Sequence, residues 1–265
     1  MKSNRKTFLD VALYFVAFVL IQILVSLVAM LAFKGIDNAA TVNVVVTIVS
    51  SVLAIGLFAW RKWSPLNGDY INTRPWFTLF WVVCLSVGSI APLSYVSELA
   101  DLKLPSQYEQ LFSGIMAHNF GYLAVGVLAP IAEEMVFRGA MLRRLAEFAG
   151  YRRRWTVIAL TALLFGLSHG NMAQGMNAFL VGLLLGWMYV RTGSIVPGVV
   201  FHLTNNTIAF VLYRMMPQTA NLTITEYFHG DMKYIAILLV SSLMIFFAAL
   251  YQLNYRLQPT EGGRA

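Results

Sequence analysis

The chain has 265 residues, of which 58% are hydrophobic and only 12% charged, against roughly 25% charged in a typical soluble domain. With a mean hydropathy of +0.68, this excludes a soluble domain and indicates a protein that crosses a membrane several times. The +7 net charge is gathered at Lys2, Arg5 and Lys6, at Arg61 and Lys62, at Arg143 and Arg144, and at Arg152, Arg153 and Arg154. In a membrane protein such clusters mark cytoplasmic loops, so a lipid bilayer is the expected partner and nucleic acid is not.

A spanning helix needs about 20 predominantly apolar residues. The run from Phe8 to Phe33 exceeds that and follows a basic N-terminus. It is longer than a secretory h-region of about 7–15 residues and lacks a small-x-small cleavage site, so it reads as a retained span. Further spans are expected over Ala39–Trp60 and Trp76–Val96, joined by a segment with the turn formers Pro65 and Gly68. The polar stretch Ser97–Asn119 reads as the longest loop. Then follow Tyr122–Phe148, Trp155–His169, Gln174–Val190, Ile195–Met215 and Tyr234–Leu253.

The fold class is therefore all-α, a single integral membrane domain over residues 1–265 with about eight transmembrane helices. Placing the N-terminus inside puts every basic cluster on one side and makes both termini cytoplasmic. Gly175, Ala178, Gly182 and Gly186 form a stripe of small residues suited to close helix packing. Cys84 is the only cysteine, which excludes an internal disulfide.

The chemistry is concentrated in the fourth span, at Glu133, Glu134 and Arg138. Ionisable groups inside a membrane are expensive and usually face a protein interior or a water-filled cavity. Glu134 and Arg138 are four apart and share a helix face, so they are expected to pair. Glu133 lies about 100° round the helix from Glu134 and roughly 140° from Arg138. It is the carboxylate left to point elsewhere. Pro130 cannot donate a hydrogen bond and should release the carbonyl of Gly126. His169 ends the fifth span, and His202 and Asn206 share a face of the seventh. Imidazole can move a proton or ligate a metal, and an amide beside it can donate to an oxyanion. Ideal rises put Glu133, His169 and His202 at depths differing by about 10 Å. They converge if the fifth helix begins outside the membrane, at its arginine cluster. His118 and His229 are expected in outward, solvated loops, and Ser168 and Thr204 beside the histidines.

The order Glu-Glu-x-x-x-Arg (Glu133, Glu134, Arg138), Phe-x-x-x-His (Phe165, His169) and His-x-x-x-Asn (His202, Asn206) resembles the CPBP family of intramembrane proteases. That family includes the CAAX-processing endopeptidases and the bacterial bacteriocin-processing or immunity proteins called Abi. The resemblance covers about residues 121–213, taken as a catalytic core. It implies that Glu133 activates a water with help from His169. His202 and Asn206 would stabilise the oxyanion, and Glu134 with Arg138 would support the site. It equally allows a metal version, with Glu133, His169 and His202 holding one divalent ion such as Zn²⁺.

The expected substrate is a membrane-associated protein or peptide, prenylated in the CAAX case. Two alternatives stand beside the protease. One is a non-catalytic immunity or regulatory protein of the same fold; the other is a proton-coupled transporter that uses Glu133 and His169 as a relay. A bacterial plasma membrane is the expected location, with the site open to the cytoplasm.

Overall fold

The computed structural model describes residues 2–34, 38–66, 68–219 and 222–257. Every described regular element is helical. They are α1 (Lys2–Ala32), α2 (Ala39–Trp60), α3 (Trp76–Leu99), α4 (Ser106–Ala117), α5 (Tyr122–Ala149), α6 (Arg154–Leu167), α7 (Met172–Thr192), α8 (Val196–Met215) and α9 (Met232–Arg256), joined by single turns. Among the described residues, α1, α2, α3, α7 and α9 are long and apolar enough to cross a membrane. The pair α4 and α5, bent by 99°, supplies a sixth candidate if it counts as one span. Helix α6 has 14 residues. Helix α8 has 20 but gives five positions to His202, Thr204, Asn205, Asn206 and Thr207, because it is a helix of the site. The protein is thus an all-α, multi-pass membrane protein.

Helix α5 runs through the centre, and every residue from Glu134 to Leu142 is buried. Phe58, Phe165, Phe201 and Leu85 from other helices fill the space around it and its own Phe137. Helices α1 and α9 instead present Leu13, Leu20, Leu24, Ile237, Met244 and Phe247 outward, an apolar surface that suits lipid. The stripe of small residues does pack closely. A Cβ on Gly182 would stand 3.0 Å from the Ala162 Cβ, one on Gly186 2.9 Å from Ile158, and one on Gly175 3.0 Å from the Gly166 carbonyl oxygen. The backbones of α6 and α7 therefore approach within a distance that larger residues would forbid.

Three basic clusters meet at one end of the bundle. The Arg144 Nε stands 2.8 Å from the Asp10 carboxylate near the start of α1. Arg143 donates to the Trp63 carbonyl at 3.1 Å, fixing the turn that carries Arg61 and Lys62. Gly139 makes room for that turn, since a Cβ there would lie 1.9 Å from the Ser64 hydroxyl.

The polar stretch expected as the longest loop is not all loop, for residues Ser106–Ala117 form α4. Among its less exposed positions, the large apolar ones are Tyr108, Phe112, Ile115 and Met116, an i, i+4, i+7, i+8 spacing that marks an amphipathic helix. A search for 20-residue apolar runs passes over so short a stripe. His118, expected to be solvated, is half-buried at its end. One ring nitrogen faces the Thr41 hydroxyl at 3.3 Å and the other accepts from the Phe120 N–H. His229 is exposed, as expected.

Between α8 and α9, the turn Ile224–Tyr227 carries a capping box made by Thr223 and Glu226. The Glu98 carboxylate accepts from the Ile224 N–H at 3.0 Å. The hydrogen bonds from Thr223 hold the Glu226 carboxyl below its ordinary range.

Candidate active site

The site is set by an irregularity in α5. Residues Tyr122–Leu128 and Glu134–Leu142 wind as wide, π-type turns, with ordinary α-helix between and after them. Such turns recur at functional sites because they shift side chains and release backbone groups. At the end of the first segment the Ala129 N–H donates to the Ala124 carbonyl, five residues back. The next donor in that series would be Pro130, which has no N–H. The carbonyl left over is therefore that of Val125, not that of Gly126 as ordinary helical counting suggests. The Asn206 Nδ2 donates to it at 2.8 Å. Asn205 donates to the Asn206 Oδ1 at 3.3 Å. With its oxygen and one N–H engaged, the amide of Asn206 is oriented, and its second N–H remains available as a donor.

The two glutamates occupy different environments. Glu134 is fully buried, and its Oε1 accepts from the Arg138 Nη1 at 2.7 Å; Arg138 is itself 1% exposed. The expected pair is present. The guanidinium is held further by the Gly182 carbonyl at 3.4 Å and lies 4.5 Å from the centroid of the Phe165 ring. Gly198 on α8 makes room for the carboxylate, because a Cβ there would stand 2.4 Å from the Glu134 Oε2. Buried charges are tolerated in this way, paired and hydrogen-bonded on several sides.

His202 lies between the carboxylates. Its Nδ1 is 3.5 Å from the Glu134 Oε1 and its Nε2 is 3.7 Å from the Glu133 Oε2. Both contacts are longer than hydrogen bonds. Glu133 is the more open of the two glutamates, with 21% of its side chain exposed. It also lines a cavity of about 160 Å³ between α1, α2 and α5. Phe18, Gln22 and Ser26 border this cavity from α1, and Thr47, Ser50 and Ser51 border it from α2.

His169 is held separately. Its Nδ1 lies 2.8 Å from the Phe165 carbonyl. A carbonyl can only accept, so Nδ1 carries the hydrogen, and Nε2 is the acceptor in the neutral ring. Phe165 connects it with the rest of the site: its centroid is 5.0 Å from that of His169, 5.9 Å from that of His202 and 5.0 Å from that of Phe137. Ser168 and Thr204 donate to carbonyls of their own helices, those of Phe165 and Val200, and so act as helix polarity.

The structure therefore brings Glu133, Glu134, Arg138 and His202 into one cluster. Asn206 lies one turn further along α8, and His169 reaches His202 across the Phe165 ring. Among the described residues, no three of His, Cys, Asp and Glu are grouped so that they could hold a metal ion. Glu133, His169 and His202 do not fit the metal version of the site in this arrangement. Sequence reasoning did not assign the Phe165 ring its central contacts, nor Gly198, the Val125 carbonyl or the cavity residues their places. Gln22, a carboxamide inside the apolar run of α1, was the one visible signal of the cavity.

Together these features define a class: a helical multi-pass membrane protein with a carboxylate–histidine cluster in its interior. Residues 115–208 match the family model described as type II CAAX prenyl endopeptidase, Rce1-like, which agrees with the resemblance of this region to the CPBP/CAAX protease family. No curated protein and no solved structure matches the chain.

Proposed function

We propose that the protein is an intramembrane endopeptidase that hydrolyses a peptide bond in a membrane-associated protein or peptide. The observation that carries this reading is the approach of the His202 Nε2 to within 3.7 Å of the Glu133 carboxylate, inside the region matched by a protease family. Glu133 acts as general base. It takes a proton from a water whose oxygen attacks the scissile carbonyl, a role in which a positioned carboxylate contributes typically 10²–10⁴-fold. His169, with Nδ1 held by the Phe165 carbonyl, presents Nε2 to assist that water.

The tetrahedral oxyanion is met by the Nε2–H of His202 and by the second N–H of Asn206. Such donors are worth about 10²–10³ in kcat when removed singly. Collapse of the intermediate breaks the C–N bond, and the proton held by Glu133 passes to the departing amine. Glu134 and Arg138 touch neither water nor substrate in this scheme. They keep α5, α7 and α8 in register around Glu133.

The family points to a substrate with a CAAX-type tail, prenylated and membrane-bound; the proposed location is a bacterial plasma membrane, with the site open to the cytoplasm. The sharing of one bundle end by the basic clusters at Arg61, Lys62, Arg143 and Arg144 supports that orientation. The test uses the purified full chain in nanodiscs with a panel of farnesylated and unmodified CAAX peptides. Glu133→Ala and His202→Ala should each abolish cleavage while the protein stays monodisperse. Cleavage by Glu133→Ala at the parent rate would remove the catalytic assignment. Equal cleavage of farnesylated and unmodified peptides would remove the lipid requirement alone.

A further inference from the structure

Helices α1 and α2 lie outside the matched region, which begins at residue 115, yet they form most of the cavity beside Glu133. Both are otherwise among the most apolar helices of the chain. Phe18, Gln22 and Ser26 recur every four residues along α1, so they share one face. Thr47, Ser50 and Ser51 sit within about one turn of α2. Five polar side chains from two separate membrane helices thus converge on one space that ends at a carboxylate. Ser50 and Ser51 are buried, Gln22 and Thr47 half-buried, and Ser26 stands exposed at the mouth.

The chemistry of the lining identifies the occupant. Thr47 and Ser50 donate to carbonyls of their own helix, those of Asn43 at 2.8 Å and Thr47 at 3.3 Å, which leaves their oxygen lone pairs facing outward as acceptors. No hydrogen bond joins Gln22 to another described residue, so its carboxamide supplies both donors and acceptors. No cation lines the space, which argues against an anionic ligand. Hydroxyls, a carboxamide and a carboxylate around about 160 Å³ suit water, which takes on the order of 30 Å³ per molecule in the liquid and needs two to four polar partners.

Building on the proposed hydrolysis, we propose that this lane, running from Ser26 past Gln22, Thr47, Ser50 and Ser51 to Glu133, stores and delivers the water that Glu133 activates. Each turnover consumes one water, whose oxygen joins the acyl carbon and whose proton goes to Glu133. The lane replaces that water from the α1–α2 side of Glu133, without requiring the substrate to leave. Gln22, Thr47 and Ser51 are positioning residues for the water; they do not touch the peptide.

The experiment compares the parent with Gln22→Leu/Thr47→Val, which keeps volume and removes the polar atoms, with Thr47→Val alone as the milder variant and Thr47→Ser as the one that restores the hydroxyl. Two readouts are taken on the full chain in nanodiscs. Brief X-ray radiolysis followed by mass spectrometry reports water next to Phe18, which is 5% exposed and reacts only if water lies inside. Cleavage kinetics report kcat and KM separately.

The expected result is oxidation of Phe18 in the parent, loss of that labelling in the double variant, and a fall in kcat of about tenfold with KM within about twofold. Thr47→Val should be intermediate and Thr47→Ser near the parent. An unlabelled Phe18 in the parent, or a double variant with parental kcat, overturns the water lane. If the double variant fails to insert, Thr47→Val against Thr47→Ser decides by the same criteria. Glu133→Gln is run alongside. Parental cleavage by Glu133→Gln would defeat the general-base reading, while the Phe18 labelling would still judge the hydration of the lane.

Discussion

On its α8 side Glu133 meets a histidine whose surroundings are almost completely specified: Glu134 and Arg138 beneath it, Phe165 against its ring, and Asn206 a turn away. On its α1–α2 side it meets small hydroxyls and one carboxamide around a cavity. The first region is built from bulky, directional groups that lock one another in place. The second uses side chains that can exchange hydrogen bonds among several geometries. The proposed hydrolysis needs both kinds, since the charged groups must not reorganise during the reaction while the water must be replaced at every cycle. The family match covers the locked side and omits the adaptable one.

Substitutions separate the two sides, beginning with the largest effect. Replacing Glu133, the residue they share, should lower kcat by at least about 10²-fold, read in the peptide assay. On the locked side, Arg138→Met leaves the Glu134 charge buried without its partner, which costs about 3–5 kcal/mol. Glu134→Leu/Arg138→Met should recover most of that loss, because removing both partners of a buried pair is far milder. Thermal unfolding in detergent distinguishes the two, and a double variant no better than the single would mean that the pair is not the stabilising unit.

Asn206→Leu removes the proposed oxyanion donor and uncaps the Val125 carbonyl together. It should reduce kcat by about 10²-fold and destabilise by about 1–3 kcal/mol. A kcat loss without any stability loss would show that the Val125 contact carries nothing. Gly198→Ala pushes a methyl group toward the Glu134 carboxylate and should cost about 1–3 kcal/mol through overpacking, measured by the same melting experiment.

The smallest effect lies outside both regions. Glu226 has a depressed pKa in the folded chain, so its capping contribution is present above the ordinary carboxylate pKa. It is lost as the pH falls through the lower, folded value. The protection of the Ile224–Tyr227 amides against hydrogen exchange, taken relative to their intrinsic rates at each pH, should fall over that acid range and remain unchanged from neutral to mildly alkaline pH.

Much of the locked side was legible in the chain. The spacing of Glu134 and Arg138 is enough to pair them, and hydropathy alone locates the main helices. The approach of Glu133 to His202 was legible only through motif order, because ideal rises placed the three titratable groups at different depths. What hid the rest was backbone geometry. The wide turns of α5 move the released carbonyl from Gly126 to Val125, a change that 3.6-residue arithmetic cannot anticipate. Phe165 looked like one aromatic among many until its neighbours were known. Serine and threonine in α2 are common enough in membrane helices to carry no message singly, and they gain one only when packing turns them toward the same carboxylate.

The wide turns give α5 a property that its neighbours lack. A chain segment closing i→i+5 bonds takes up one more residue per turn than one closing i→i+4 bonds. In α1 or α2, losing a residue would swing everything beyond it by about 100° and scatter the aligned polar face. Between Tyr122 and Leu128 the helix carries slack: a shortened chain could revert to ordinary winding with Glu133 still aimed inward. A one-residue deletion is therefore milder between Tyr122 and Leu128 than within α1 or α2.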